Sequence, residues 1–327
     1  MQLPPSARLW LLGTGFFLPR CLHVVAEMAI ADHLGEAPMT ASALAQSAGC
    51  DPLALERMLR LLAVADVFEK RGEAWAHTEL SRLLRTDHPQ SMRAFLRMIG
   101  DRLQWAAAGE LQHAARTGLA AAERIVPGGS WAYYRDHPDE ARVFDAAMTA
   151  KSQAEIAALI PAFDFTRYGV IADIGGGRGH ILSAALASAP RAKGVLFDLP
   201  HVIDAVAPSP RIELRGGDFF QDALPAADAY ILGNVLHDWA DAEAIAILHS
   251  IRRAAPQGSE LLILESVLVE GPGPHVSKVL DIIMMSATGG RERTEREYRA
   301  LLAEGGFRLD RVAPTGSPTS VLVGVPA

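Results

Sequence analysis

The segment Val170-Ile171-Ala172-Asp173-Ile174-Gly175-Gly176-Gly177-Arg178-Gly179 constrains this chain more than any other. It reads as a buried apolar strand entering a glycine turn, with a helix expected from about His180. Glycines let the backbone take positive φ and let a ligand approach with no Cβ in the way. From Tyr168 onward, short apolar runs at 169–174, 194–198, 229–233, 261–265 and 320–325 alternate with helical patterns such as 241–254 and 295–304. That alternation signals βαβ units, hence an α/β, Rossmann-like, doubly wound parallel sheet. In such a sheet the first βα turn lies at the carboxyl edge, where ligands bind.

Two ligand classes compete for the turn. A dinucleotide fingerprint needs G-x-G-x-x-G, with a helix amino end facing a pyrophosphate. Counting Gly175 and Gly177 as the first pair puts His180 where the third glycine belongs. Asp173 lies two residues before Gly175, and a carboxylate there repels a pyrophosphate. It suits a cofactor that carries an ammonium and a sulfonium. Asp198, 21 residues after Gly177, stands where an acid accepts ribose hydroxyls. Beyond the third strand, Asp218 is placed to take an adenine amine and Phe219 to cover the ring. A single acid at a strand end is commonly a helix cap, but here three successive strand ends carry one.

The first 100 residues have a different texture. Thr40 is expected to cap a helix through Ser47, with Gly49 as its stop, and Asp51-Pro52 opens a second helix. Leu55, Met58, Leu59 and Leu62 give that helix one buried stripe. A hairpin over 67–75 turns near Gly72. Helix, turn, helix, hairpin is a winged-helix pattern, expected here as an N-terminal domain of the all-α class over 1–100. A helical linker over 101–165 and a ligand-binding domain over 166–327 follow. A winged helix can read DNA, so a ligand-responsive regulator is one alternative. The second helix, however, offers Glu56, Arg57 and Arg60 among apolar residues. The net charge is −7, without a long basic run, so neither feature supplies a phosphate footprint. A dimerisation module is the expected role.

Cys21 and Cys50 are too few for a disulfide framework and fall in no metal-ligand spacing. The apolar run Leu9–Leu18 faintly resembles a signal-peptide core but lacks a small-residue cleavage site. At ten residues it is too short to span a bilayer, which takes roughly 18 or more. A cytoplasmic protein with no membrane or nucleic-acid partner is expected.

Taken in order, the sequence resembles a family. The glycine loop, Asp198, Gly217-Asp218-Phe219-Phe220, Asn234-Val235-Leu236-His237-Asp238-Trp239 and Gly289-Gly290-Arg291-Glu292-Arg293-Thr294 carry the likeness. Together they look like the S-adenosylmethionine-dependent O-methyltransferases of the caffeic acid and hydroxyindole branch, over nearly the whole chain. The resemblance implies a homodimer and S-adenosylmethionine as methyl donor, with S-adenosylhomocysteine as product and no metal. It implies a small aromatic hydroxylated acceptor of specialised metabolism. His237 closes an apolar strand at the cofactor edge and is the expected general base. A phenol of pKa near 10 is scarcely ionised at neutral pH, so a neutral imidazole must take its proton. The resemblance places Glu265 and Glu292 beside the histidine, with Asp238 as an alternative partner and acceptor contact. It further assigns Ser152 and Trp239 to the cofactor, and Met148, Met284 and Met285 to the acceptor pocket. Many relatives carry a lysine where this chain has Gly233. A relative with non-methylating chemistry is the other alternative.

Overall fold

The structure, a computed structural model, describes residues 3–327, so the first two residues of the expected N-terminal domain lie outside it. The chain divides into two units. Met1–Trp105 with Tyr133–Lys151 forms one, and Ala106–Ala132 with Ser152–Ala327 forms the other.

In the first unit the local signals act as read. Thr40 accepts a hydrogen bond from the Ala43 N–H and starts the helix Ala41–Ala48, which stops at Gly49 with φ of 68°. Asp51 accepts from the Ala54 N–H at 2.7 Å and starts the helix Pro52–Leu62. Leu55, Leu59 and Leu62 are fully buried against Phe68 and Trp75, whereas Met58 is only partly covered. Strands β1 (Met39–Thr40), β2 (Phe68–Arg71) and β3 (Ala74–His77) make a small antiparallel wing in the order β1-β3-β2. Glu56 accepts from Lys70 Nζ and Trp75 Nε1, both at 2.7 Å, and from Arg60 at 3.2 Å. The Lys70 and Trp75 bonds hold its carboxyl down at about 2. The helix that would read DNA therefore turns its carboxylate to its own wing, and Arg60 pairs with that carboxylate along the same helix.

The N-terminal apolar run is longer than ten residues, because the helix Phe17–Glu27 continues from the helix Pro5–Gly13 after a three-residue turn. Pro5–Glu27 spans 23 residues, long and apolar enough to cross a membrane by length and composition alone. No residue of Pro5–Gly13 is buried, and Leu9, Trp10 and Leu12 are each about two-thirds exposed or more. An apolar surface of that kind marks a partner site.

The second unit is built on a seven-stranded sheet in the order β6-β5-β4-β7-β8-β10-β9. Its strands are β4 (Val170–Ile174), β5 (Lys193–Asp198), β6 (Ile212–Gly216), β7 (Ala229–Gly233), β8 (Glu260–Ser266), β9 (Phe307–Pro314) and β10 (Thr319–Pro326). The first five in that order are parallel, and β10 runs antiparallel between β8 and β9. Apolar clusters cover both faces, one around Leu182, Leu186 and Leu262, the other around Ile247, Ile251 and Tyr298. That double burial explains the continuous apolar runs of β4, β7 and β8. Edge strand β9, Phe-Arg-Leu-Asp-Arg-Val-Ala-Pro, alternates and escapes such a reading. The strand order reverses between β4 and β7, so their carboxyl ends frame the crevice where such sheets bind ligands.

Candidate active site

The glycine turn leaves β4 with Gly175, Gly177 and Gly179 all at positive φ. Gly175 donates its N–H to the Phe197 carbonyl at 2.8 Å, which ties the turn to β5. Nothing lies within 4 Å of where a Gly177 Cβ would stand, so the backbone there faces open space. A Gly176 Cβ would fall 2.5 Å from the Asp173 carboxyl carbon, a close approach that the sequence reading passed over.

Asp173 is 1% exposed, and neither of its oxygens has a hydrogen bond of normal geometry. Burial, helped by the charge of Asp198, pushes its carboxyl up to about 7. Asp198 accepts from the Gly177 N–H at 2.8 Å and from the Leu199 N–H at 2.7 Å. Asp218 accepts from the Phe220 N–H and from Gln221 Nε2, both at 2.8 Å, so it also braces its own turn. The Phe219 ring lies 3.5 Å from the Cβ position of Gly175. Phe219, Phe220 and Trp239 form one ring cluster, with Trp239 centroids 6.1 and 4.9 Å from the other two. A Cβ at Gly233, where many relatives are expected to carry lysine, would meet the end of the Ile181 side chain at 2.7 Å, so that side chain would have to shift.

His237 follows β7 on a short turn of 3-10 helix, Leu236–Asp238, and is 8% exposed. Its Nδ1 lies 3.0 Å from Glu292 Oε1. A carboxylate can only accept, so Nδ1 carries the hydrogen and Nε2 is the basic nitrogen of the neutral ring. Glu292 is 1% exposed and its other oxygen has no hydrogen-bond partner. Burial alone would lower the imidazole pKa. The Glu292 bond and the charges of Glu265, Asp238 and Glu292 outweigh it and raise the pKa to about 9.

Glu265 departs from the expectation that it flanks the ring. One oxygen accepts the backbone N–H groups of Val235 and His237, each at 3.1 Å, and the other accepts the Tyr298 hydroxyl. It holds the loop and acts on the imidazole through its charge. Asp238 comes closer than sequence adjacency suggested, with Oδ1 3.9 Å from His237 Nε2. Met284 and Met285 are half-buried on the helix Val276–Ala287. Ser152 is half-buried on the helix Pro138–Ala162, within the second unit, whereas Met148 on the same helix belongs to the first.

Two supports carry no catalytic signature in the sequence. Arg293 is 1% exposed and donates to the carbonyls of Leu236 and Trp239, both at 2.9 Å, and to Asp241. Gly290 packs so tightly that its Cβ would lie 1.9 Å from the His237 carbonyl oxygen, while the next residue, Arg291, donates its N–H to that oxygen at 2.9 Å. Loop 289–294 thus grips the turn 236–239 from its carbonyls and from the ring. Among the described residues, no group of three or more His, Cys, Asp or Glu side chains could hold a metal ion.

Residues 109–308 match the O-methyltransferase domain, and residues 10–87 match the O-methyltransferase dimerisation domain. The chain belongs to the O-methyltransferase family. The phenazine O-methyltransferase of Lysobacter antibioticus is 38% identical over 328 residues, covering 98% of this chain and 96% of that one. A solved methyltransferase of calicheamicin biosynthesis, in its S-adenosylhomocysteine-bound form, superposes with TM-score 0.90 at 34% identity over the whole of both chains. An O-methyltransferase of neocarzinostatin biosynthesis was solved with S-adenosylmethionine and 2-hydroxy-5-methyl naphthoic acid. It gives TM-score 0.80 at 31% identity, over 95% of this chain and 96% of that one.

Proposed function

We propose that this enzyme, as a homodimer, methylates a hydroxyl of a small aromatic specialised metabolite, with S-adenosylmethionine as donor and His237 as general base. The observation that carries this reading is the buried His237–Glu292 pair at 3.0 Å, which leaves Nε2 as the proton acceptor at the sheet edge. The residues fit the donor. Asp173 is a buried carboxyl without a hydrogen-bonded partner, which an ammonium group would supply, and Gly177 lies open beside Asp198. Asp173, Gly175, Gly177, Asp198, Asp218, Phe219, Ser152 and Trp239 would hold it.

When bound, S-adenosylmethionine supplies an electrophilic methyl group on a sulfonium. His237 Nε2 takes the hydroxyl proton as the new C–O bond forms and the C–S bond breaks, leaving a neutral thioether. Glu292 keeps the ring in the correct tautomer and stabilises the imidazolium that develops. Glu265 and Arg293 hold the loop from its N–H groups and its carbonyls. Met284, Met285 and Asp238 would meet the acceptor. The aromatic acceptor class is supported by the phenazine and naphthoic acid relatives.

His237→Ala tests the assignment. It should lower kcat by about 10²–10⁴-fold, the usual cost of losing a general base, with S-adenosylhomocysteine affinity unchanged within a few-fold. The variant should regain rate steeply at high pH, where the phenol ionises unaided. Wild-type turnover by His237→Ala at pH 7 would remove the base from the mechanism.

A further inference from the structure

The chain leaves β7 at Asn234 in a conformation that costs energy. Its φ is 55°, in the left-handed region, and three residues later comes His237. Asparagine tolerates that region better than most residues but does not require it. The side chain is therefore informative. Asn234 Nδ2 donates to Glu155 Oε2 at 3.0 Å. The other oxygen of Glu155 accepts the hydroxyl of Thr319 at 3.0 Å, at the start of β10. Thr319 is 8% exposed and stands opposite Ser266, the neighbour of Glu265. The Asn234 N–H in turn donates to the Leu264 carbonyl at 3.1 Å.

We propose that Glu155 is a positioning residue for His237. Resting on the reading of His237 as base, it clamps the Asn234 turn to β10 and so fixes the start of the catalytic loop. Glu265 seizes the N–H groups of Val235 and His237 immediately beyond that turn, so a backbone rotation at Asn234 displaces both. A base displaced by about 1 Å can lose on the order of 100-fold in rate. Glu155 stands on the helix Pro138–Ala162, three residues and one helical turn after Ser152. One helix face thus carries both the expected cofactor contact at Ser152 and the clamp on the base.

An amide–carboxylate exchange tests this with near-isosteric side chains. Asn234→Asp sets two carboxylates against each other and keeps a residue tolerant of positive φ. It should lower kcat on the order of tenfold to 100-fold, with the KM for S-adenosylmethionine within about twofold. Adding Glu155→Gln reverses the bond, since the new amide donates to the new carboxylate and its oxygen still accepts from Thr319. The double variant should recover kcat to within about threefold of wild type, an order-of-magnitude expectation for a re-formed hydrogen bond. Melting temperatures are followed in parallel. Recovery of kcat with the melting temperatures of all variants alike supports the proposal. Asn234→Asp turning over like wild type, or a double variant no faster than Asn234→Asp, overturns it while leaving His237 in place. Wild-type rate in His237→Ala overturns the base reading, and this proposal with it.

Discussion

Replacing Glu292 with glutamine keeps the hydrogen bond to His237 Nδ1 and removes the charge behind it. The imidazole stands at about 9 instead of 6.5. At about 1.4 kcal/mol per unit, that rise is a preference of roughly 3 to 4 kcal/mol for the imidazolium. Burial works against that rise while Glu265 and Asp238 add to it, so the net figure sets the scale of the Glu292 share and does not cap it. The loss should act in two opposite ways. The variant imidazole is neutral at lower pH, so more enzyme is competent there. It is also a weaker base, and if about half the charge has developed in the transition state, the plateau rate falls by up to about tenfold. The pH–rate curves should therefore cross. Well below pH 6.5 Glu292→Gln should equal or exceed wild type by up to about tenfold, and above pH 9 it should be slower by a similar factor. The assay is initial rate against pH at saturating S-adenosylmethionine and acceptor, with His237→Ala as baseline. Two parallel curves with the same acid midpoint would refute the claim that Glu292 sets the basicity of His237. The same shift has a stability consequence. A raised histidine pKa stabilises the folded state fully below pH 6.5, and that contribution is lost as pH rises through about 9.

Asp173 predicts the opposite sign for the cofactor-free protein. Its carboxyl is raised from 3.8 to about 7, so the unfolded chain ionises first and stability falls between pH 4 and 7. Asp173→Asn should raise the cofactor-free melting temperature by several degrees at pH 8 and by little at pH 4, and should weaken S-adenosylhomocysteine binding in calorimetry. An equal gain at both pH values, with full affinity, would contradict it. Gly290→Ala places a methyl 1.9 Å from the His237 carbonyl oxygen. It should cost at least tenfold in kcat through the shifted turn, on the order of the loss from misplacing a catalytic group, while circular dichroism stays native. Sedimentation at micromolar concentration should give about twice the 35.0 kDa chain mass. Replacing exposed Leu9 and Leu12 with serine should shift it towards monomer, because the helix that carries them has no buried residue.

How far the sequence reached follows from which atoms do the work. The glycine turn, the caps at Thr40 and Asp51 and the buried runs of β4 and β7 were legible because each depends on neighbours within a few residues. Glu292 was legible as a motif residue, and its partner atom follows once a carboxylate is paired with a ring that needs one nitrogen free. Glu265 was assigned to the right histidine and the wrong part of it. Nothing in a glutamate at a strand end says whether it will meet a ring or a pair of N–H groups 28 and 30 residues away. Arg293 and Gly290 were harder still. Their partners are main-chain carbonyls, which every residue has, so no residue type at any spacing records the contact. Glu155 bonds to side chains, those of Asn234 and Thr319, but its proposed role lies in the backbone angle of Asn234, 79 residues on, which no residue type records. A family motif identifies the groups that touch the reacting atoms. The geometry on which the proposed role of His237 rests is imposed on its loop from both sides, by an acceptor for its N–H groups and donors to its carbonyls. Those constraints appear only when the sheet brings β7, β8, β10 and loop 289–294 to one edge.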